Sequence, residues 1–535
     1  MTGAQAVVAS LEKEGVTTVF GYPGAAICPV YNCLAQSRIC HILVRQEQNA
    51  GHAAAAYGRI SGRPGVCITT SGPGALNLLT ALATAYMDSV PLVAITGQVS
   101  SELLGRDVFQ EADITGAAEP FTKHSFLVKN AADLPRIMKE AFYLAFTGRQ
   151  GPVLIDLPVD VQNQPLDFVY PEEVSIRGYN PSTRANPLQL RRVAEAISSA
   201  RRPVICAGGG VFSSGARDRM REFAESCQIP VVTTMMGLGL MPSRHPLYFG
   251  MLGSFGCSAA NYAIRHSDLL ILIGARAGDR AMGQPGVLEK RTRIVHIDID
   301  PAEIHKNMEA SIPLVADARL ALEQLLECCG PRDTGMWLAE LREKKGFGAS
   351  FTDRPGFINP HRLVEALSEG LDEDGIYVAD VGLNQLWSAR CARMKAGRFL
   401  TSGGMGTMGY ALPAAMGARL ASGAGQVVAV MGDGGFQMSM QELATLVQHD
   451  IPVKIVLFRN DCLGLVRQIQ KEEYGGRYEA VELGASPDFA ALAQVYGIRA
   501  MTISDNSEIE EAVQALLSAE KSFLLQCLVS PDEPA

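Results

Sequence analysis

Gly-Asp-Gly-Gly-Phe-Gln-Met (432–438) and Phe-Arg-Asn (458–460) bracket the stretch that decides the fold. An uninterrupted apolar run, 427–431, precedes the first motif and is typical of a buried strand of a parallel sheet. A second apolar run, 451–458, leads into the second motif. Between them, apolar residues at helical spacing predict a helix over 438–448. The stretch is therefore a strand–turn–helix–strand unit.

Asp433 and Asn460 stand where the two strands of this unit end. In a right-handed parallel unit both strands end at the same edge, so we expect these side chains to meet although 27 residues separate them. Their oxygens suit Mg²⁺, which binds through a few protein oxygens and substrate phosphates, and the glycines let the backbone approach a bulky anion. Taken alone, the motif is also typical of an ordinary loop between a strand and a helix.

The composition indicates a multidomain globular protein that binds small molecules. A length of 535 residues predicts about three domains. The 47 basic and 56 acidic residues give a net charge of −9 without a basic run, which argues against nucleic acid or an anionic membrane as a partner. The 12 cysteines are scattered and form no C-x-x-C pair, as expected of reduced thiols without zinc or disulfides. With no signal-peptide pattern and no long apolar run, we expect a cytoplasmic protein.

Strand-like runs alternate with helical patterns along the whole chain, which predicts an α/β fold with mainly parallel sheets flanked by helices. Two stretches rich in proline or glycine, 162–187 and 344–360, interrupt the alternation, and we interpret them as linkers. The domains are then expected at 1–165, 186–345 and 358–535.

The first and third domains carry a faint internal repeat. Ser-Gly-Pro-Gly (71–74), a helical pattern and Val-Pro-Leu-Val-Ala-Ile (90–95) follow the same order as the motif at 432, its helix and the run from 451. We therefore expect two similar outer domains that face each other across a cleft, although chance similarity between parallel-sheet domains would give the same rhythm. Glu47 precedes an Ala-rich helical pattern in the first domain, where an acidic residue ordinarily just favours the helix N-terminus.

Several motifs together resemble one family. They are Gly-Tyr-Pro-Gly (21–24), Glu47, Thr-Ser-Gly-Pro-Gly (70–74), Asp-Ser-Val-Pro-Leu (88–92), Phe-Gln-Glu-Ala-Asp (109–113), Thr-Lys-His (122–124), Gly-Gly-Met-Gly-Thr-Met-Gly-Tyr (403–410) and the bracket of Asp433 with Asn460. The chain is similar, nearly end to end, to the catalytic subunit of acetohydroxyacid synthase (acetolactate synthase), a thiamine-diphosphate (ThDP) enzyme. The resemblance implies two ThDP-binding outer domains and a Rossmann-like middle domain of FAD type.

The resemblance also implies an activity and partners. The activity is decarboxylation of pyruvate and carboligation of the hydroxyethyl unit to a second 2-ketoacid, giving 2-acetolactate or 2-aceto-2-hydroxybutyrate for branched-chain amino acid biosynthesis. The cofactors would be ThDP, Mg²⁺ and FAD, the last with a structural role. A homodimer or homotetramer is implied, with Glu47 and Asp433 paired across the subunit boundary, and a small regulatory subunit is possible.

Six residues match catalytic positions of the family. Glu47 would share a proton with N1′ of the aminopyrimidine and so favour the tautomer whose N4′ removes the C2 proton. Met408 would wedge between the cofactor rings and keep the cofactor bent. Phe109, Gln110 and Lys123 would line the substrate side of the cleft, and Arg280 would receive the acceptor's carboxylate. Without the resemblance, Lys123 would be interpreted as a solvated lysine and Phe109 as core.

The remaining matches concern the cofactors. The ThDP matches are Pro23, Gly24, Pro73, Asn77, Gly382, Asn384, Gly406, Met408, Gly434 and Gly435. The Mg²⁺ ligands would be Asp433, Asn460 and the backbone carbonyl of Cys462, whose thiol would take no part. The FAD matches are Arg149, Gly208, Gly209, Gly210, Thr233, Leu252, Gly253, Gly274, Arg276, Asp279, Asp298, Ile299 and Asp317. As a nucleotide-binding motif the glycine run of the middle domain is weak, and a Rossmann-like domain that binds nothing is the alternative.

The sequence departs from the family at several positions. Ser254-Phe255 and Ala277-Gly278 differ from the usual residues beside FAD, and Ile469 replaces the tryptophan associated with a preference for 2-ketobutyrate. Leu383 and Ala25 replace residues near ThDP. The alternatives are a pyruvate oxidase-type ThDP and FAD enzyme, a FAD-independent catabolic acetolactate synthase and an inactive protein that holds cofactors for assembly.

Overall fold

The structure, a computed structural model, describes residues 1–283, 285–345, 352–423, 425–484 and 486–535. It contains three six-stranded sheets in which all paired strands are parallel, each flanked by helices, so the predicted fold class is confirmed. Of the expected linker at 344–360, residues 346–351 lie outside the described residues. The expected linker at 162–187 is a described stretch that runs mostly outside helices and strands.

The first sheet has the order β2-β1-β3-β4-β6-β5. Its strands are β1 (Thr18–Tyr22), β2 (Cys40–Leu43), β3 (Gly65–Thr69), β4 (Leu92–Gln98), β5 (His124–Leu127) and β6 (Pro152–Pro158). The helices are α1 (Gly3–Lys13), α2 (Cys28–Leu34), α3 (Glu47–Ser61), α4 (Pro73–Leu76), α5 (Leu79–Met87), α6 (Ile114–Ala118), α7 (Leu134–Phe146) and α8 (Val159–Asn163).

The middle sheet has the order β12-β11-β10-β7-β8-β9. Its strands are β7 (Pro203–Ala207), β8 (Val231–Thr233), β9 (Tyr248–Met251), β10 (Leu269–Ile273), β11 (Arg293–Asp298) and β12 (Ile312–Val315). The helices are α9 (Pro187–Ser199), α10 (Gly209–Ser213), α11 (Arg217–Cys227), α12 (Ser258–His266), α13 (Asp279–Met282), α14 (Pro285–Glu289), α15 (Ala318–Cys328) and α16 (Gly335–Lys344). The strand order reverses between β7 and β10, which creates a crevice at their carboxyl ends.

The third sheet has the order β14-β13-β15-β16-β18-β17. Its strands are β13 (Ile376–Ala379), β14 (Arg398–Leu400), β15 (Val427–Gly432), β16 (Lys454–Arg459), β17 (Arg499–Ile503) and β18 (Phe523–Leu528). The helices are α17 (Pro360–Gly370), α18 (Leu383–Cys391), α19 (Ala411–Ser422), α20 (Asp433–Gln437), α21 (Leu443–Gln448), α22 (Gly464–Glu473), α23 (Phe489–Val495) and α24 (Ile509–Ser518). This strand order repeats that of the first sheet, as the internal repeat predicts.

The two outer domains share one hydrophobic core, because α3 packs directly on α19. Small residues allow this close approach. A Cβ added at Gly417 in α19 would lie 1.9 Å from the backbone oxygen of Ala53 in α3. The contact fixes the first domain to the third within one chain.

The expectation of a single helix over 438–448 is wrong. The chain forms α20, a 3₁₀ turn at Met440–Glu442 and then α21. The interruption turns the side chain of Glu442 towards the first domain, where it accepts hydrogen bonds from the Arg45 N–H and the Asn49 side chain. A tertiary contact has here overridden the helical period of the sequence.

Candidate active site

Asp433 lies buried in the middle of the carboxyl edge of the third sheet, between the ends of β15 and β16. Its Oδ2 accepts hydrogen bonds from the backbone N–H groups of Asn460 (3.2 Å) and Asp461 (2.7 Å), and its Oδ1 accepts from the Gly434 N–H (2.9 Å). Burial raises the pKa of the Asp433 carboxyl to about 6. The structure thus brings Asp433 and Asn460 together at one edge.

Cys462 follows closely in the same turn. Its N–H donates to Asn460 Oδ1 (3.2 Å), and burial raises the pKa of its thiol to about 12, so the sulfur stays protonated near neutral pH. The neighbouring carboxylate of Asp461 pairs with Arg459 instead (2.9 Å). Across the described part of the chain, no group of three or more His, Cys, Asp and Glu side chains could hold a metal ion. A cation here would therefore need amide, carbonyl and phosphate oxygens besides Asp433.

The turn after β13 closes this site from the neighbouring strand. Gly382 has a φ of +131°, a conformation that favours glycine. The buried side chain of Asn384 donates to the backbone oxygens of Asp380 (2.8 Å) and Val430 (3.2 Å), which joins β13 to β15. A Cβ at Gly435 would lie 2.8 Å from Asp380 Oδ1. The loops after β13 and β15 are thus packed as closely as glycine permits.

Asp380 is a site residue that the sequence reasoning missed. Its fully buried carboxylate accepts hydrogen bonds from the N–H groups of Gly409 (3.0 Å) and Ala411 (2.9 Å), and burial raises its pKa to about 6. It therefore fixes the glycine-rich stretch 403–410, which includes Gly406 and Met408, beside the turn that follows β15. An acidic residue directly after the apolar run 377–379 is the signal that could have revealed it.

The first domain of the same chain supports the other end of that stretch. Asp88 accepts hydrogen bonds from the N–H groups of Gly404 (2.7 Å) and Gly403 (3.1 Å). The hydroxyl groups of Thr84 and Thr407 are 2.7 Å apart. The stretch predicted to bind the pyrimidine is thus anchored from both outer domains.

Glu47 is the first residue of α3 and lies at the carboxyl edge of the first sheet. Its Oε2 accepts a hydrogen bond from Asn77 Nδ2 (2.9 Å), and a Cβ at Gly74 would lie 3.3 Å from its Oε1. The carboxylate therefore lies against the Gly-Pro-Gly turn that contains Pro73. In the part of the chain that the structure describes, no hydrogen bond joins the Glu47 carboxylate to the third domain.

Two further predicted residues follow β1 at the same edge. Pro23 is exposed, and a Cβ at Gly24 would lie 2.5 Å from the side chain of Thr70. Gly24 therefore allows the turns after β1 and β3 to meet, which keeps the surface around Glu47 compact.

The loop after β4 places Gln110 on the Gly-Pro-Gly turn. Gly72 has a φ of +57°, and a Cβ there would lie 2.9 Å from the Gln110 backbone oxygen. The carboxylate of Glu111 accepts loop N–H groups, including that of Val108 (3.2 Å), and these bonds lower its pKa. Phe109 is 87% exposed. Its interpretation as a core residue, which the sequence would suggest without the resemblance, is therefore wrong. A large apolar ring stands in solvent beside the edge that contains Glu47.

Lys123 lies elsewhere in the first domain and already has partners. Its ammonium donates to the backbone oxygens of Leu144 (2.5 Å) and Thr147 (2.7 Å) and to the Tyr179 hydroxyl (3.1 Å). Burial lowers the pKa of Lys123 to about 8. This arrangement ties β5 to the end of α7, and a substrate role for Lys123 stays a prediction.

The predicted FAD residues of the middle domain gather at the carboxyl ends of its strands. They are Gly208, Gly209 and Gly210 after β7, Thr233 in β8, Leu252 and Gly253 after β9, Gly274, Arg276 and Asp279 after β10, Asp298 and Ile299 at the end of β11, and Asp317 after β12. Cβ atoms at Gly208 and Gly210 would lie 2.4 Å and 2.7 Å from the Gly274 backbone. This glycine contact occupies the crevice where the strand order reverses.

The charged residues predicted to bind FAD or substrate at these domains differ in how they are engaged. Arg149, from the first domain, pairs with Glu303 (2.7 Å) and Asp300 (3.3 Å). Asp317 caps α15 through the Leu320 N–H. Arg280, predicted to receive a substrate carboxylate, is on α13 with a side chain that is 85% exposed and whose Nε lies 3.7 Å from Asp279 Oδ2. Arg280 is thus positioned for a ligand approaching from outside, whereas Arg149 joins two domains.

No helix among the described residues is long and apolar enough to cross a membrane.

Family models of thiamine pyrophosphate enzymes match three parts of the chain: an N-terminal TPP binding domain over residues 1–117, a central domain over 190–325 and a C-terminal TPP binding domain over 380–527. These matches cover each of the three sheets in large part.

Curated relatives match almost the whole chain. A probable acetolactate synthase large subunit of Methanocaldococcus jannaschii is 46% identical over 100% of this chain and 93% of its own length. The acetolactate synthase large subunit of Corynebacterium glutamicum is 46% identical over 96% of this chain and 84% of its own. An acetolactate synthase of Arthrospira platensis is 42% identical over 100% and 95%.

Proposed function

The chain belongs to the acetolactate synthase family of thiamine pyrophosphate enzymes, and from that premise we propose that its outer domains decarboxylate pyruvate and join the remaining two-carbon unit to a second 2-ketoacid. The product is 2-acetolactate, or 2-aceto-2-hydroxybutyrate when the acceptor is 2-ketobutyrate. One observation carries the proposal: two topologically equivalent sheet edges each place a carboxylate beside a glycine turn, Asp433 on one and Glu47 on the other.

The edge with Asp433 suits a Mg²⁺-diphosphate. The Asp433 carboxylate has backbone N–H partners and no cationic partner among the described residues, and its raised pKa means that a bound cation would stabilise the ionised form. Asn460 and the Cys462 carbonyl would supply further protein oxygens. Gly434, Gly435, Gly382 and Asn384 would let the diphosphate approach the backbone.

Glu47 would keep and transfer a proton at N1′ of the cofactor's aminopyrimidine. The bound cofactor supplies the nucleophilic carbon and accepts the electrons released by decarboxylation. Asn77 orients Glu47 by donating to its Oε2, and the carboxylate keeps its other oxygen for the ligand. Met408 and Gly406 would shape the surface that holds the two rings together, supported by Asp380 and Asp88.

A second copy of the chain would complete the site. Glu47 has its hydrogen-bond partner in its own domain, so we propose that it serves the Asp433 edge of a partner subunit. Large apolar side chains are exposed around both edges: Tyr22, Leu76 and Phe109 in the first domain, and Met405, Met438 and Ile469 in the third. Burying them against each other would favour at least a homodimer.

Substrate contacts would come from the loop of Phe109 and Gln110 and from Arg280. Gln110 is fixed on Gly72, and the Arg280 guanidinium offers two parallel donors to a 2-ketoacid carboxylate. Lys123 would line the substrate side of the cleft once a ligand displaces the carbonyl partners that now hold it at the end of α7.

FAD would bind in the crevice of the middle domain. The glycine contact between the ends of β7 and β10 lies where open α/β sheets bind nucleotides. The visible spectrum of the purified protein tests whether the flavin is bound.

The Corynebacterium and Methanocaldococcus relatives are named large subunits, so we also propose a smaller partner subunit for this chain.

A pyruvate-only assay with and without ThDP, Mg²⁺ and FAD tests the activity. We expect acetoin after acid treatment of the product, dependent on ThDP and Mg²⁺. Acetate formed with reduction of an electron acceptor would instead indicate a pyruvate oxidase, and activity in colourless protein would indicate a FAD-independent synthase. Absence of turnover with both cofactors bound would indicate an inactive assembly protein.

A further inference from the structure

Glu442 is a buried carboxylate that the proposed chemistry does not use. It ends the 3₁₀ turn that interrupts the helical pattern after α20, and its side chain is fully buried. Its Oε1 accepts hydrogen bonds from the Arg45 N–H (2.9 Å) and from Asn49 Nδ2 (2.8 Å), and its Oε2 accepts from the Thr445 hydroxyl (2.6 Å). Two of its three donors thus belong to the first domain, almost 400 residues away in sequence.

Those two donors flank Glu47. Arg45 precedes Glu47 by two residues and Asn49 follows it by two. The Glu442 carboxylate therefore accepts hydrogen bonds from both sides of Glu47. Gln46, at the N-cap of α3, makes no side-chain capping bond of its own within the described residues. Its side chain instead accepts a hydrogen bond from Gln441 Nε2 (3.2 Å), the residue before Glu442. Side chains of the third domain therefore hold the start of α3 on both sides of Glu47.

We propose that Glu442 is the positioning residue of Glu47: it fixes the backbone and first turn that aim the Glu47 carboxylate. This inference rests on the proposed role of Glu47 in the ThDP reaction. The position of a group that exchanges a proton must be accurate to a fraction of an ångström for efficient transfer. A buried acceptor with two donors on either side of that group provides such accuracy, because neither donor can move without losing its partner.

The interface between the first and third domains contains a second hydrogen bond that does not involve the turn of Glu47 and can serve as a control. His449 Nε2 accepts a hydrogen bond from the Leu43 N–H (3.1 Å), also between the third and first domains. Its loss removes an interdomain hydrogen bond at the end of β2. The His449→Leu variant therefore reports what weakening the interface does by itself.

The test uses the full-length protein loaded with ThDP and Mg²⁺. Hydrogen–deuterium exchange at the thiazolium C2 position, followed by acid quench and NMR, measures proton removal without any substrate. We expect Glu442→Leu to slow this exchange about 10- to 100-fold while ThDP affinity and the oligomeric state stay the same. Glu442→Gln, which keeps an acceptor oxygen, should remain within about threefold of wild type, as should His449→Leu.

A double variant separates positioning from a general structural defect. In a Glu47→Gln background, Glu442→Leu should add no further slowing, because it acts through the Glu47 carboxylate. Wild-type exchange in Glu442→Leu, or an additive effect in the double variant, would overturn the inference. Should Glu442→Leu not fold, Asn49→Ala removes one of the two donors and is expected to slow exchange in the same direction. If Glu47→Gln itself exchanges at the wild-type rate, the proposed function of Glu47 fails instead.

Discussion

The first and third domains have the same strand order but place their carboxylates after different strands. After β15 the chain turns through Asp433, whose carboxylate lies in the middle of the sheet edge. After β3, the equivalent strand, it turns through Gly72 and Pro73 and offers no charge. The charge of the first domain comes instead from Glu47, after β2. A shared fold thus supplies equivalent positions, and the placement of individual side chains underlies the different roles that we propose for the two edges.

The difference also shows in how each edge is stabilised. Asp433 is held by backbone N–H groups of its own domain. The turn that begins with Glu47 is held by Glu442 of the third domain. The first turn of α3 therefore depends on the third domain for its position, whereas the Asp433 carboxylate takes its hydrogen bonds from its own domain.

Removing the charge of the first domain should have the largest effect. Glu47→Gln keeps the size of the side chain and its hydrogen bond with Asn77 but removes the proton acceptor, so we expect pyruvate turnover to fall about 10²- to 10⁴-fold. ThDP binding, followed by isothermal titration calorimetry, should change little. Glu119→Gln, at an exposed glutamate of the same domain, serves as the control. Unchanged turnover in Glu47→Gln would refute its assigned role.

Removing the charge of the third domain should act on binding. Asp433→Asn is expected to weaken Mg²⁺-dependent ThDP affinity more than about 100-fold, because the amide would replace the one anionic protein ligand that we propose for the cation. Asp461→Asn is the matched control, since that neighbouring carboxylate pairs with Arg459. Equal losses in both variants would show that the local turn, and not the Asp433 charge, determines affinity.

The contact between the two domains can be strained directly. Gly417→Ala places a Cβ within 1.9 Å of the Ala53 backbone oxygen, so α3 and α19 must separate, and we expect a loss of about 1–3 kcal/mol in stability. Gly286→Ala, where no atom beyond the local backbone lies within 4 Å of the added Cβ, should leave stability unchanged or raise it by up to about 1 kcal/mol. Thermal unfolding compares the two variants. A Gly417→Ala protein as stable as wild type would show that the shared core is looser than its geometry suggests.

The sequence predicted the features that depend on local pattern and topology. The apolar run 427–431 lies in β15 and the run 451–458 lies mostly in β16, and the repeat between the outer domains is confirmed by the identical strand order. Periodicity also predicted one helix over 438–448, where the structure has a 3₁₀ turn at Met440–Glu442 that leads into α21, and it did not predict that Glu442 contacts residues almost 400 positions earlier. The roles of Asp380 and Glu442 depend on which loops meet in space, and a single sequence does not encode that in any local spacing. The partners of Lys123 were hidden for the same reason.

The smallest expected effect concerns a buried carboxyl on β6 that has a neutral counterpart on β18. Asp156 accepts hydrogen bonds from Thr96 Oγ1 (2.7 Å) and Gln98 Nε2 (2.9 Å), and burial raises its pKa to about 7. On β18, the buried Gln526 donates to Thr502 (3.2 Å) instead. The pKa of Asp156 in the folded protein lies above its value of about 4 in the unfolded chain. Folding at a pH between these two values therefore takes up a proton. As a result, the contribution of Asp156 to stability falls as the pH rises from about 4 to about 7.

Asp156→Asn should remove that part of the pH dependence, so the melting temperature should change less with pH across this window. The converse variant, Gln526→Glu, places a carboxyl in the third domain, where burial should raise its pKa and add a fall in stability with rising pH. Thermal unfolding at half-unit pH steps compares both variants with wild type. A wild-type slope in Asp156→Asn would mean that Asp156 stays ionised through its bonds to Thr96 and Gln98, and that the two outer domains respond to pH alike at this strand.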